Sequence, residues 1–293
     1  MRLFPTGWQV AYRRADKGAI LESGPHHFTL LKNSWRYMAA DPFLFLAEGK
    51  TYIFAELYDY ILRRGVIGFC YYDGEEFSRW KPIITEAYHL SYPVIFQRGK
   101  DVFMMPEAKE SRSVYLYKAV EFPNRWEKLE PLVSDIECVD TTPFQSGGKD
   151  YAFTYLWRYP AASELLLFEW GGKDGIVFSD QNPISKDDAI ARPGGKILYM
   201  NEAMLRVSQD CENEYGTALV FNKVERDFFS QYRETLIARV GVESLRVDKK
   251  ICGVHTYNAD GEWEVIDVKL QASYNMVHFW MRLMSKIGRV VRS

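Results

Sequence analysis

Short runs of apolar and aromatic residues, each closed by a polar turn, recur along this chain at a spacing of about 50 residues, the first sign of a repeating all-β architecture. Each run starts at an acidic or aromatic residue beside a proline, continues through an apolar stretch ending in Phe, and turns at Gly-Lys into a second run. The copies are Asp41-Pro42-Phe43-Leu44-Phe45 with Gly49-Lys50, Tyr92-Pro93-Val94-Ile95-Phe96 with Gly99-Lys100, and Asp140 to Phe144 with Gly148-Lys149. Lys50, Lys100 and Lys149 stand 50 and 49 residues apart. A degenerate copy starts at Ala191-Arg192-Pro193, with Asn201-Glu202 in place of Gly-Lys, and a fifth starts near His255. Glycine supplies the turn conformation, and Tyr, Phe, Val and Ile suit a pleated, half-buried surface, so each copy reads as a hairpin. Outer strands are expected after Trp80, Trp126 and Trp170.

Units of this length built from four short strands predict a five-bladed β-propeller over residues 1–268. Trp8 to Tyr12 and Trp263 to Val268 are suitable partners for closing the ring. The competing architecture is a large β-sandwich. Helical spacing is confined to Asp227 to Val240 and to the last two dozen residues. There Met276, Val277, Trp280, Leu283, Met284, Ile287, Val290 and Val291 form one apolar face, and Arg282, Lys286, Arg289 and Arg292 add charge. Residues 269–293 therefore read as a basic amphipathic helix, packed on the propeller or, through residues 276–292, lying on an anionic membrane surface.

Apolar residues at 47% and charged residues at 26% exclude disorder. The 37 basic and 39 acidic residues nearly cancel, so no global field favours a polyanion, which argues against nucleic acid as a partner. The N-terminal residues lack the apolar core of a secretion signal, and the four cysteines form no CxxC pair, so the expectation is a cytoplasmic protein with reduced thiols. No nucleotide P-loop, dinucleotide-binding turn, zincin or hydrolase-elbow motif occurs. No cofactor and no protein-built zinc site is expected, although carboxylates can hold a divalent ion.

In a propeller the innermost strands converge on one channel, so residues at the repeat starts meet although they are distant in sequence. Three carboxylates, Asp41, Glu107 and Asp140, are the catalytic candidates. Glycosidic chemistry needs one carboxylate ionised beside an oxocarbenium-like centre and another group to move a proton. His89, Tyr92, Arg192, Gln209, Asp210 and His255 are the candidates for binding substrate hydroxyls or an anionic group.

The runs Ala40 to Phe45, His89 to Pro93 with Pro106-Glu107-Ala108, Val139-Asp140, Ala191 to Gly194, and Ser208 to Cys211 with Tyr215-Gly216 resemble the N-terminal-domain family of glucosamine inositolphosphorylceramide transferases. More distantly, Asp41-Pro42 is similar to the start of five-bladed arabinanase, xylosidase and fructosidase-type glycosidases. In those the first-blade Asp acts as base or nucleophile. Where they commonly carry a second-blade Asp and a third-blade Glu, this chain has Tyr92 and Asp140, which leaves the acid open between Glu107 and Asp140. The resemblance implies a carbohydrate-active enzyme, a glycosyltransferase of cell-surface polysaccharide or glycolipid synthesis, taking a sugar donor and a glycan or glycolipid acceptor and peripheral on the inner membrane face. A glycoside hydrolase and a non-catalytic glycan-binding propeller are the alternatives.

Overall fold

Five antiparallel sheets are arranged around one axis in the computed structural model, which describes residues 7–271 apart from 159–161, 174 and 226. From the axis outward, the first blade runs Tyr37–Ala47, Lys50–Asp59, Arg64–Tyr71 and Lys81–Ile84. The second runs Ser91–Arg98, Asp101–Glu107, Tyr117–Glu121 and Arg125–Lys128, and the third Cys138–Ser146, Lys149–Arg158, Ala162–Gly172 and Gly175–Phe178. In the fourth the inner edge is split into Arg192–Pro193 and Leu198–Met200, followed by Ala203–Asp210, Ala218–Val224 and Glu234–Gly241. The fifth is composite. Ile251–Asp260 and Trp263–Leu270 are completed by the N-terminal strand Trp8–Arg14 and by Thr29–Leu30. Trp8 pairs with Lys269 and Arg14 with Trp263, so the expected partners do close the ring.

The core follows the same logic. Each of five apolar clusters is shared by two adjacent blades: Phe43 and Phe54 meet Tyr92 and Met104, for example, and Val10 and Val265 meet Leu44 and Ile53. A sandwich would have one core between two sheets; here the hydrophobic surface is divided around a ring, and no blade buries its faces alone.

One expectation from helical spacing fails. Within Asp227 to Val240, residues 234–241 form the outer strand of the fourth blade, with Leu236 and Ile237 exposed. The register slips between Leu236 and Ala238, so the apolar residues there do not alternate as a regular strand would require. Of the segment 269–293 expected to be helical, Lys269 and Leu270 instead end the strand Trp263–Leu270 because they pair with the fifth blade, and residues 272–293 lie outside the described residues.

The closing strand is fastened by a buried carboxylate. Glu264, fully buried, accepts hydrogen bonds from Arg13 Nε at 2.7 Å, the Tyr257 hydroxyl at 2.5 Å and the Ile20 N–H at 3.1 Å. Removing it strands the Arg13 charge in a desolvated position. Glu264→Ala is expected to lower unfolding free energy by about 3–5 kcal/mol, the scale for breaking one side of a buried ion pair. Chemical denaturation checks this, and a loss comparable to that of an exposed pair would contradict it.

Candidate active site

The ladder breaks register at the same place in four of the innermost strands: between Ala40 and Phe43, Ser91 and Val94, Val139 and Thr142, and Val254 and Tyr257. In the first three, the residue at the break is left-handed: Asp41 at φ 49°, Tyr92 at φ 46° and Asp140 at φ 49°. Asp tolerates that region, but Tyr rarely adopts it, and such residues cost of order 1–3 kcal/mol each unless their surroundings hold them. A bulge re-aims the side chain. Here the bulges direct Asp41, Tyr92 and Asp140 to the axis, where Arg192 and His255 join them.

At the seam between the first and fifth blades stands a buried ion set. His255 Nε2 lies 2.8 Å from Asp41 Oδ1, and its Nδ1 lies 2.9 Å from Asp267 Oδ1, the second contact poorly aligned with the N–H direction. Asp41 also accepts bonds from the Thr256 hydroxyl at 2.9 Å and the Tyr92 N–H at 3.2 Å. Asp267 accepts the backbone N–H groups of Asp41, His255 and Thr256. Burial opposes charge on His255 and Asp41, yet Asp267 and then Asp41 push the His255 ring up to about 10, and His255 in turn holds the Asp41 carboxyl below its usual range.

These three are, among the described residues, a group whose ligand atoms lie close enough for a metal, within 4.8 Å of one another. They suit one poorly. The imidazolium already supplies the positive charge, and the carboxylate oxygens already accept hydrogen bonds.

Glu107 is treated oppositely. It ends the second strand of its blade, half-buried, and its Oε2 accepts the Asp140 N–H at 3.1 Å. Burial first and the neighbouring Asp140 second push its carboxyl well above the ordinary range, with Arg192 only partly offsetting them. Asp140 is claimed by Arg192, whose Nε donates at 2.5 Å, and by Gln209 Nε2 at 3.1 Å. The Arg192 guanidinium packs 4.7 Å from the Tyr215 ring centre and 5.8 Å from that of Tyr155. Tyr215 also faces Trp8 and His255, giving the channel one aromatic wall.

Asp41, Tyr92, Glu107, Asp140, Arg192, Gln209 and His255 are thus one connected set. Tyr92 stands in it as a pin: fully buried, its hydroxyl contacts Thr142 at 3.0 Å and accepts the Gly195 N–H at 2.7 Å, so three blades meet on one oxygen. Gly195, at φ +151°, is a glycine because a Cβ there would overlap the Tyr257 carbonyl oxygen. His89 lies at the rim, 3.2 Å from Glu56, with Nδ1 accepting the Gly65 N–H, which assigns the proton to Nε2. Asp210 does not join the set. One residue beyond Gln209, it presents the other side of its strand, where its carboxylate grips Arg239 and accepts the Glu212 N–H.

Sequence reading missed Asp267 and Glu56. Both were detectable as acids flanked by apolar residues within strands, Ile266-Asp267-Val268 and Ala55-Glu56-Leu57, where a carboxylate requires a partner. A separate cleft of about 1220 Å³, lined by Ser146, Asn201, Met204, Phe228 and Arg233 among others, lies away from this chemistry, between the third and fourth blades.

The raised His255 value sets a pH dependence. A group whose folded pKa lies above its unfolded one, about 10 against 6.5, contributes stability fully below pH 6.5 and loses it as pH rises through 10. Denaturation midpoints should therefore fall across that window, and His255→Gln should flatten the slope. Equal slopes for the two proteins would contradict the ion set.

The profile of the family described as "Glucosamine inositolphosphorylceramide transferase 1, N-terminal" matches residues 32–277. Glucosamine inositolphosphorylceramide transferase 1 of Oryza sativa subsp. japonica is 28% identical over 216 residues, covering 71% of this chain and 29% of that protein. Its namesake in Arabidopsis thaliana is 30% identical over 210 residues, covering 67% and 26%. The chain spans less than a third of the length of these curated relatives. Among solved structures, a family 117 glycoside hydrolase of Zobellia galactanivorans superposes with a TM-score of 0.56 at 12% identity, covering 91% of this chain and 92% of that one. The catalytic domain of a GH62 α-L-arabinofuranosidase of Coprinopsis cinerea does so with 0.58 at 10% identity, covering 92% and 99%. These two share the fold. The motifs at the blade starts and the family match agree, and the chain belongs to the family of glucosamine inositolphosphorylceramide transferase 1 N-terminal domains.

Proposed function

We propose that the channel is the active site of a carbohydrate-active enzyme, a glycosyltransferase that moves a sugar from an activated donor to a glycan or glycolipid acceptor. The feature that carries this reading is the contrast between two carboxyl groups on one channel: Asp41 is paired with His255, which holds it below the usual range, and Glu107, buried beside Asp140, is pushed well above it. Paired carboxyls pushed apart in this way mark acid and base roles. Glu107 gives its proton to the departing oxygen. As the donor's bond between the anomeric carbon and that oxygen breaks and the acceptor oxygen bonds to the same carbon, Asp41 stabilises the positive charge and takes the acceptor hydroxyl's proton on the one lone-pair site its three bonds leave free. Asp140 acts through Arg192, holding its Nε so that the guanidinium is fixed against the Tyr215 ring, and that ring offers an apolar surface to a sugar face. The named relatives support transfer rather than hydrolysis.

A donor screen tests the reading. Consumption of a sugar nucleotide only when an acceptor is present supports transfer; release of sugar from a finished glycan indicates a hydrolase, and binding without turnover a glycan-binding module. Asp41→Asn and Glu107→Gln are each expected to lower turnover by roughly two to four orders of magnitude. Wild-type activity should decline as pH rises through the raised Glu107 pKa, a limb that Glu107→Gln lacks. Near-normal turnover by folded Asp41→Asn protein would remove Asp41 from the mechanism.

A further inference from the structure

Two neighbouring loop tips on the first blade expose apolar side chains that nothing among the described residues covers. The turn before the first inner strand carries Trp35, 82% exposed, the most exposed of the large hydrophobic residues described. The hairpin between Asp59 and Arg64 carries Tyr60 at 41%, Ile61 at 58% and Leu62 at 39%. They form one surface, since the Tyr60 N–H donates to the Arg36 carbonyl and Arg36 pairs with Asp59 at 2.7 Å. Other exposed apolar residues, such as Val177, Phe178, Leu236 and Ile237, lie on outermost strands.

Charge identifies the occupant. Residues 31–37 and 59–64 contain Lys32, Arg36, Arg63 and Arg64 against one acid, Asp59, which is buried under Arg36. The protein as a whole is slightly acidic, so this excess is local. Apolar tips ringed by cations are complementary to a surface that is oily below and anionic above. The loops also sit at the channel. Asn33 donates to the Trp8 carbonyl, and Trp8 packs on His255; Gly65, just past the hairpin, donates to His89.

We propose that these tips dock the channel mouth on an anionic lipid bilayer, Trp35 and residues 60–62 entering the interface and the exposed Lys32 and Arg63 resting on the headgroups. No helix among the described residues is long and apolar enough to cross a membrane, so this is attachment at the surface. The inference goes beyond the catalytic reading. It would bring a lipid-linked acceptor to Asp41 and Glu107, but it holds whether or not sugar is transferred.

The test is sedimentation of the full chain with phosphatidylcholine vesicles, with and without phosphatidylserine. Binding is expected only with phosphatidylserine and should weaken as salt screens the charges. Trp35→Ser combined with Ile61→Ser should reduce it by at least roughly tenfold, the scale for withdrawing two large apolar side chains. Lys32→Gln and Arg63→Gln should each reduce it roughly fivefold. Tryptophan emission should shift to the blue on binding, and Trp35→Phe should remove most of that shift. Undiminished binding by the double serine variant overturns the proposal, as does equal binding to neutral vesicles. Loss of self-association in that variant would show a second copy on the patch, and a large drop in its melting temperature would show that the chain itself covers it. Either would also overturn the proposal. Because the readout is binding without turnover, failure here leaves the transferase reading standing, and failure of the donor screen leaves this one.

Discussion

Asp41, His255 and Asp267 bury three ionisable groups at the seam where the first blade meets the last, and the rest of the site depends on how that set is neutralised. Desolvating charges of this kind costs several kcal/mol per ion. The set survives because each carboxylate is surrounded: four backbone N–H groups and the Thr256 hydroxyl converge on Asp41 and Asp267. Those donors are free only because the inner strands break register there. The bulges, the left-handed backbone at Asp41 and Tyr92 and the closure of the ring are therefore parts of one arrangement. The Tyr92 N–H extends it to the second blade, and the Tyr92 hydroxyl to the third and fourth.

That arrangement also explains why two carboxyl groups on one channel differ. Asp41 has a cation of its own in His255. Glu107 has none, because Asp140 has already taken Arg192, and Asp140 lies beside Glu107 as a like charge. Burial and then Asp140 of the third blade raise Glu107 of the second, and His255 of the fifth lowers Asp41 of the first, so the contrast is a property of the closed ring. The aromatic wall of Trp8, Tyr155 and Tyr215 forms around the same Arg192 and His255, placing a stacking surface beside the acids.

The ring was legible in the sequence because a propeller repeats its turns: Gly49-Lys50, Gly99-Lys100 and Gly148-Lys149 mark one hairpin three times, and Asn201-Glu202 occupies the same turn with left-handed backbone. The blade starts pointed to Asp41, Tyr92, Asp140, Arg192 and His255, which the structure does bring together. What stayed hidden was direction. Gln209 and Asp210 are neighbours on one strand and necessarily face opposite sides, so they do not both reach the channel, and only the register decides which does. Asp267 and Glu56 sit on second strands, away from any repeat start. The exposed pair Leu236 and Ile237 broke the strand alternation because the register slips there, which the sequence does not mark.

The central claim is that one channel holds the Asp41 carboxyl below the ordinary range and the Glu107 carboxyl above it. Carbon-13 NMR of the side-chain carboxyl carbons, assigned with Asp41→Asn and Glu107→Gln, reads both states directly in the same titration. The account predicts that the Asp41 signal titrates below the ordinary range and the Glu107 signal well above it. Both groups ionising together near the usual carboxyl values of about 4 would contradict it.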